Sequence, residues 1–343
     1  MIQASSLRSY PSVIAPIRGD WRESSDGVQF EYKNKRVGVG HLVKDEQLNG
    51  TKKINLEVQD LQFEQLLISA AIHAKAEGII NLVCGFPRQT FLSNREGLAG
   101  YKGKRFEFVT PQGPKSFIIN RLWPIFEPVG HGKGIRYSLG IEDRPVIAPS
   151  IGFGTAECIV ISANGRPRME TVFGEKLGIR LAALRLKEKL LSLGFRPADH
   201  EMNDSFYDSL LIEGYAMSSR FKARIRDGIM SGERLKEIVD QSLLEYAEED
   251  LAPPLFQYLE EKNPGGDAIF APTGGGSLYD PVKNFLLSSA RKLGLETISV
   301  EKELALKSAA IGYTVAALSD PDFSKNTLIA DFGNSHTVFA WTV

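Results

Sequence analysis

The sequence has few cysteines and no long hydrophobic run. Its two cysteines, Cys84 and Cys158, both lie within apolar stretches and have no C-x-x-C partner. Isolated cysteines of this kind are typical of small buried residues in a reducing compartment and argue against a disulfide framework. No apolar run approaches the roughly 18 residues that cross a bilayer, and residues 1–6 lack the core of a signal peptide. We therefore expect a cytoplasmic protein that has no membrane partner.

Neither sign of charge is in excess. Lysine and arginine number 41 against 42 aspartates and glutamates, which gives a formal net charge of −1. Without a basic excess, no long-range field attracts the folded body to DNA, and we expect no direct nucleic-acid partner. The 343 residues, of which 43% are hydrophobic and 24% charged, are ordinary for a globular protein of about two domains.

Several catalytic signatures are also missing. The chain contains no G-x-x-x-x-G-K-[ST] loop, no G-x-G-x-x-G fingerprint, no G-x-S-x-G elbow and no H-E-x-x-H pair. Five dispersed histidines and two strand cysteines argue against zinc. The run Asp331-Phe-Gly333 matches the metal motif of protein kinases, but the partner motifs of a kinase are absent, so we interpret this match as chance.

Hydrophobic periodicity predicts α/β organisation. A helix is expected from an N-cap at Asp60 to a stop at Gly78, followed directly by a buried strand over 79–87. His73 lies on that helix and is interpreted as an interface residue rather than a metal ligand. Further helices are expected over 175–194, from Ser231 to near the prolines at 253–254, and over 303–318. A helix that leads straight into a buried strand is typical of α/β proteins.

Glycine-containing turns form the most distinctive pattern. The segments 328–341 and 146–161 each predict a β-hairpin, with turns at Asp331-Phe-Gly-Asn-Ser335 and Gly152-Phe-Gly-Thr155. A third turn, Gly274-Gly275-Gly276, joins a predicted strand to a helix. Glycine lets backbone N–H groups approach phosphate oxygens closely, although about half of such glycine turns are only tight connections.

The polar residues at these turns suit a nucleotide. Asp331 can hold a hydrated Mg²⁺, and Thr155, Asn334 and Ser335 supply neutral donors. Glu127 follows a proline-marked strand end and precedes a glycine-rich segment, which predicts a loop position. Two interpretations of Glu127 stay open: an acid that orients water toward a γ-phosphate, or a surface acid beside a turn.

These motifs resemble a known family. The two hairpins, the Glu127-Pro-Val-Gly130 segment, the triple glycine and the Lys307–Tyr313 helix are similar to the five ATP-site elements of the actin, Hsp70 and sugar-kinase fold. Within that fold, four segments resemble bacterial actin-like proteins of the plasmid-partitioning ParM/StbA group: Ser9-Tyr-Pro-Ser12, Leu82-Val-Cys-Gly-Phe-Pro87, Ile151-Gly-Phe-Gly-Thr155 and Asp331–Trp341.

The resemblance implies an α/β, actin-like (ribonuclease-H-like) two-domain ATPase fold with the nucleotide in the interdomain cleft. Domain I would comprise 1–145 plus 305–343, with a small subdomain at about 20–60. Domain II would comprise 146–304, with a small insertion at about 195–230. In the family the first phosphate hairpin precedes the Pro-Ser segment, whereas here it comes last. Joining Val343 to Met1 restores the family order, which implies a circular permutation.

The resemblance also implies roles for individual residues. Asp331 would be the metal-associated aspartate and Glu127 the acid that activates the hydrolytic water. The remaining nucleotide contacts would come from three segments: Gly333, Asn334, Ser335 and His336 in the first phosphate loop; Gly152, Phe153, Gly154 and Thr155 in the second; and Gly274, Gly275, Gly276 and Ser277 on the adenosine side. The implied cofactors are ATP/ADP and Mg²⁺.

The function implied is an ATPase that forms ATP-dependent filaments and moves plasmid DNA through an adaptor protein. Two departures from the family pattern bear on its hydrolysis rate: Ser150 stands where an aspartate is usual, and Val338 stands where many members carry a phosphate-binding lysine. Serine cannot hold the second shell of a metal as a carboxylate does. The alternatives are a small-molecule phosphotransferase of the same fold and a nucleotide-binding assembly scaffold with little hydrolysis.

Overall fold

A computed structural model describes residues 7–21, 28–45, 56–195, 204–216, 223–226, 228–262, 265, 267–333 and 336–342. The described strands of the larger sheet are β1 (Arg8–Pro11), β2 (Ile14–Pro16), β3 (Val28–Tyr32), β4 (Lys35–Val39), β5 (Gly78–Phe86), β6 (Arg105–Thr110), β7 (Gly113–Phe126), β16 (Thr327–Phe332) and β17 (His336–Thr342). They lie in the order β1-β17-β16-β5-β7-β6-β3-β4-β2.

A second sheet contains β8 (Val146–Ile147), β9 (Ser150–Ile151), β10 (Ala156–Ile161), β11 (Pro167–Glu175), β14 (Ile269–Phe270) and β15 (Glu296–Thr297). A separate hairpin is formed by β12 (Ala223–Ile225) and β13 (Gly228–Met230). It falls in the segment expected to be a small insertion, part of which lies outside the described residues.

Helices cover the sheets. The described helices are α1 (His41–Asp45), α2 (Leu61–Ala74), α3 (Phe91–Ala99), α4 (Glu127–Ser138), α5 (Arg180–Ser192), α6 (Asp204–Tyr215), α7 (Gly232–Glu245), α8 (Ala252–Lys262), α9 (Asp280–Lys292) and α10 (Lys302–Ser319). Short 3₁₀ turns occupy 88–90 and 275–278, and a π-helical turn joins α7 to α8. Within the described part of the chain, no helix is both long and apolar enough to cross a membrane.

The first sheet is built around β16. It pairs in parallel with β5, with Leu328 opposite Leu82, and antiparallel with β17, with Asp331 opposite Val338. Strand β1 then pairs antiparallel with β17, with Arg8 opposite Phe339. The strands β16, β17 and β1 therefore form a three-stranded antiparallel meander assembled from the two ends of the described chain.

The two sheets are joined where α4 crosses α10. A Cβ on Gly134 would lie 1.9 Å from the carbonyl oxygen of Ser308, and a Cβ on Gly312 would lie 1.9 Å from that of Gly130. Only glycine fits at these crossing points, because any side chain would push the helices apart. Since α4 leads from β7 to β8 and α10 leads from β15 to β16, both connections between the sheets pass through this crossing.

The predicted α/β organisation, both glycine-turn hairpins and the buried strand after α2 are confirmed. Four other predictions were wrong. Helix α2 ends at Ala74 because Lys75 adopts the left-handed conformation (φ 56°), and Gly78 already belongs to β5. Helix α5 begins at Arg180 because β11 extends to Glu175.

The other two corrections involve proline and glycine. The prolines at 253–254 do not end the helical run; they lie at the start of α8, directly after the π-helical turn at 246–251. Glu127 does not lie in a loop; it is the first residue of α4, and the glycine-rich segment after it is helical. The close packing against α10 explains why so many glycines occur in that helix.

Candidate functional site

The second glycine loop, residues 152–155, forms a tight turn at the end of β9. The backbone N–H of Gly152 donates a 2.8 Å hydrogen bond to the carbonyl of Thr155, and the carbonyls of residues 152–154 accept bonds of 3.0 to 3.3 Å from the N–H groups of residues 178–180. In a planar trans peptide the N–H points away from the preceding C=O. The N–H groups of residues 153–155 therefore point away from α5, in an arrangement suited to an anion.

The first glycine loop joins β16 to β17. Ser12 Oγ donates a 2.6 Å hydrogen bond to the carbonyl of Gly333, and its oxygen lies 2.9 Å from Thr337 Oγ1. A Cβ on Gly333 would lie 2.8 Å from the carbonyl oxygen of His336, so the turn requires glycine. His336 opens β17 opposite Pro11. The other predicted contacts of this loop, Asn334 and Ser335, lie outside the described residues.

The triple glycine lies beside the second loop. A Cβ on Gly274 would lie 2.6 Å from the carbonyl oxygen of Ile151, and one on Gly276 would lie 2.3 Å from Ile151 Cγ2, whereas one on Gly275 would meet open space. Ser277 Oγ donates a 2.8 Å hydrogen bond to the carbonyl of Gly274. Gly274 and Gly276 are thus required by packing against β9, and Gly275 is the member that leaves backbone open to a ligand.

Glu127 influences two other acids, one on each hairpin. Loss of water and the negative charge of Glu127 raise the pKa of Asp331 well above its ordinary value. The same two causes raise the pKa of Glu157, a residue of β10 that is 2% exposed. Each hairpin therefore carries one acid that interacts with Glu127 at the start of α4. A ligand that brings positive charge would be favoured here.

Glu157 is a candidate site residue that the sequence did not identify. Its Oε1 accepts a 2.8 Å hydrogen bond from the backbone N–H of Arg88, while its Oε2 is buried without a partner among the described residues. The one available signal was an acid inside an otherwise apolar strand, two positions after Thr155. That pattern alone does not distinguish a buried acid from an exposed one.

Ser150 belongs to a buried network around His131. Its Oγ lies 2.9 Å from His131 Nε2, and the other ring nitrogen lies 2.7 Å from Ser308 Oγ and 3.1 Å from Thr273 Oγ1. Glu127 Oε1 is 3.6 Å from His131 Nε2. Where the family resemblance implies a carboxylate at residue 150, this chain therefore has a hydroxyl held by a buried imidazole.

Val338, the second departure from the family pattern, is a core residue. It is 2% exposed and packs in a cluster with Leu7, Ala310 and Ile311. Residue 338 of β17 therefore brings no charged side chain to this hairpin. Phosphate binding by this hairpin would rest on backbone groups rather than on a lysine.

The residues present fit a nucleotide with its metal. The loop 152–155 directs N–H groups toward an anion, and the carboxylates of Glu127, Glu157 and Asp331 favour a cation beside it. The described residues contain no group of three or more protein ligands that could hold a metal by themselves. Mg²⁺ usually keeps several waters and uses one or two carboxylates plus phosphate oxygens, so Asp331 would suffice as its protein partner.

Comparison of the whole structure with known proteins shows the fold. No protein-family model and no curated protein matches the sequence. The archaeal actin homolog Ta0583 is similar over 91% of this chain and 92% of its own, with 18% identity and a TM-score of 0.67. A non-polymerisable quadruple mutant of pCBH ParM is similar over 91% and 93%, with 14% identity and a TM-score of 0.65.

Bacillus thuringiensis ParM with ATP is similar over 90% of this chain and 91% of its own, with 16% identity and a TM-score of 0.52. The chain therefore has the actin-like α/β fold, as the resemblance implied.

Proposed function

We propose that this protein is an actin-like ATPase that binds ATP between its two sheets and assembles into filaments. The observation that carries the proposal is that Glu127, the first residue of α4, influences one acid on each glycine-turn hairpin, Asp331 and Glu157, beside the α4–α10 crossing. The actin-like fold and the ATP bound to the similar Bacillus thuringiensis ParM support it. By the same resemblance the filaments would position plasmid DNA in the cytoplasm through an adaptor protein, since the net charge of −1 gives the chain no basic excess of its own.

Each element has a part in the proposed reaction. The N–H groups of residues 153–155 bind phosphate oxygens, Gly275 lies on the adenosine side, and Asp331 would hold a hydrated Mg²⁺. Bound Mg²⁺ would neutralise the phosphate charge. Glu127 orients a water toward the γ-phosphate and accepts its proton while the new phosphorus–oxygen bond forms and the bond to ADP breaks.

The surroundings of Ser150 favour slow turnover as a second possibility. Its hydroxyl is bound to His131 at 2.9 Å and offers no negative charge to a metal. A protein with this arrangement would bind nucleotide and assemble but hydrolyse little. A phosphotransferase of the same fold would instead need a small-molecule acceptor to release ADP.

Sedimentation and light scattering with ATP, with ADP and without nucleotide test the proposal. ATP should give assembly, Asp331→Ala should abolish it, and Glu127→Ala should preserve assembly while slowing phosphate release. Assembly without phosphate release identifies the scaffold. The filament proposal fails if ATP gives no assembly and ADP appears only when a sugar or acid acceptor is added.

We also infer that the chain is a circular permutant with two domains, 1–145 plus 305–343 and 146–304. The meander of β16, β17 and β1 supports this, because the strand at the beginning of the described chain continues a hairpin made near its end. The larger sheet is made entirely of strands from the first set of residues, and the second sheet entirely of strands from the second set. Both crossings between the sets use α4 and α10.

A further inference from the structure

Tyr313 reaches from α10 into the space between the two sheets. A Cβ on Gly85 would lie 1.6 Å from Tyr313 Oη, and a Cβ on Gly130 would lie 2.1 Å from its Cε1. The ring thus occupies room that exists only because both neighbours are glycine. One residue earlier, Gly312 contacts the backbone of Gly130, so the helix crossing fixes where the ring stands.

The Tyr313 hydroxyl has no hydrogen-bond partner among the described residues, although the residue is fully buried. Burial and then the charges of Asp331, Glu127 and Glu157 raise the pKa of Tyr313 well above its ordinary value, so the group stays a neutral O–H donor. Glu157 Oε2 is the matching buried acceptor without a partner. Buried polar atoms are rarely left unpaired, and ordered water is the usual partner where protein atoms are lacking.

The charge of the surroundings decides what the hydroxyl can bind. Tyr313 is flanked by carboxylates, which repel phosphate oxygens at short range. Phosphate is accommodated instead by the N–H groups of the loop 152–155. Water is neutral, and one molecule can accept a bond from a phenol while it donates two bonds to carboxylates.

We propose that Tyr313 binds the attacking water, with its hydroxyl donating to the water oxygen and Glu127 and Glu157 accepting the two water protons as hydrogen bonds. The role of this water in attacking the γ-phosphate rests on the proposed function. The presence of a water bound to Tyr313 does not. The bond from Tyr313 holds the water oxygen in place while Glu127 removes a proton from it. Tyr313 remains protonated throughout.

Tyr313→Phe tests the proposal because it removes Oη and leaves the ring between the two glycines. The first measurement is a high-resolution crystal structure of the nucleotide-free protein, in which a water should lie about 2.7 to 3 Å from Oη. The corresponding structure of the variant should lack it. A wild-type structure without that water overturns the proposal whatever the ATPase activity is.

The second measurement separates binding from turnover. Single-turnover phosphate release should slow about tenfold in Tyr313→Phe, the effect of one hydrogen bond lost from the transition state. The affinity for a fluorescent ATP analogue should stay within about twofold. Unchanged release, or an equal loss of affinity, would contradict the water-binding role.

Tyr101→Phe is the matched control. Tyr101 is also buried, and its hydroxyl donates a 2.7 Å bond to the carbonyl of Val58, away from the proposed site. This control should lower the melting temperature and leave phosphate release unchanged. If the wild type releases no phosphate at all, the proposed ATPase function fails, and the crystallographic water still decides the role of Tyr313.

Discussion

Ser12 Oγ donates a 2.6 Å hydrogen bond to the carbonyl of Gly333, a residue 321 positions further along the chain. Ser12 lies between β1 and β2, and Gly333 lies in the turn that follows β16. Because Ser12 gives its proton to Gly333, Thr337 Oγ1 is the donor in the 2.9 Å contact between the two hydroxyls. The shape of the proposed first phosphate loop therefore depends on the Pro-Ser segment near the start of the chain.

Ser12→Ala should lower the free energy of unfolding by about 1–2 kcal/mol, because it leaves the Gly333 carbonyl and the Thr337 hydroxyl without their buried partner. It should also weaken binding of a fluorescent ATP analogue, since the loop is no longer held. Urea denaturation and a fluorescence titration measure the two effects. The control Ser93→Ala removes an exposed hydroxyl that donates to Thr90 and should change neither. Equal behaviour of the two variants would contradict the role of Ser12.

The inferred permutation predicts that the chain can be reconnected. A variant that joins residue 343 to residue 1 through a short Gly-Ser linker and opens after α10, between Asp320 and Pro321, should fold to the same unfolding midpoint and bind nucleotide equally. The reason is that β17 and β1 are already neighbours and Pro321 is exposed. A control chain opened inside β10, between Cys158 and Ile159, should not fold. Failure of the first variant alone would contradict the inferred order.

Gly312→Ala tests the helix crossing. Alanine normally stabilises a helix relative to glycine by about 1 kcal/mol, but here its Cβ would lie 1.9 Å from the carbonyl oxygen of Gly130. We expect a loss of about 3 kcal/mol or more in urea denaturation.

Gly275→Ala is the matched control for Gly312→Ala, because its Cβ would meet open space. Its stability should change by no more than about 0.5 kcal/mol. Its affinity for ATP should fall, since Gly275 is the open member of the triple glycine. A Gly312→Ala variant as stable as the wild type would disprove the tight crossing.

His73 predicts a pH dependence of stability. Its ring stacks on Tyr10 at 5.0 Å and Phe339 at 5.6 Å between centroids, and burial, followed by the charges of Arg8 and His41, lowers its pKa to about 4. Because the pKa of His73 is lower in the folded state than the ordinary histidine value of about 6.5, the neutral ring contributes stability that is fully present above a pH of about 6.5. This contribution is lost as the pH falls toward 4.

Thermal unfolding of the wild type and of His73→Phe between pH 7 and pH 4 measures this contribution. Phenylalanine keeps the stacking and does not titrate, so the melting temperature of the variant should fall less over this range. The remaining titrating groups are common to both proteins. Parallel curves would show that the pKa of His73 does not differ between the folded and unfolded states, which contradicts the prediction.

The hairpins could be predicted from the sequence because a glycine turn between two apolar runs is a local pattern. The helical state of the segment after Glu127 could not, because proline and three glycines in one stretch are local signals for a loop. Gly130 and Gly134 are helical because α10 packs directly on them. Local propensity was overruled there by a contact between residues far apart in sequence.

Some polar residues of the candidate site could also be predicted from the sequence, and others could not. Asp331 and the loop 152–155 were identified from residue type and turn position. Glu157 and Tyr313 were not, because each lies on a regular element whose sequence resembles ordinary core. His131 was not, because it lies in the glycine-rich segment whose local signals indicate a loop. Their proposed roles follow from the convergence of β10, α4 and α10, which no single segment of the sequence encodes.

The position of β16 determines when the larger sheet can be completed during synthesis. This strand occupies the middle of the larger sheet between β17 and β5, yet it begins only at Thr327. On the ribosome, β1 is made long before its partner β17, and β5 keeps one unpaired edge until β16 emerges. A nascent chain without β16 and β17 therefore has neither the complete larger sheet nor the proposed first phosphate loop, so the proposed nucleotide binding must await the synthesis of these two strands.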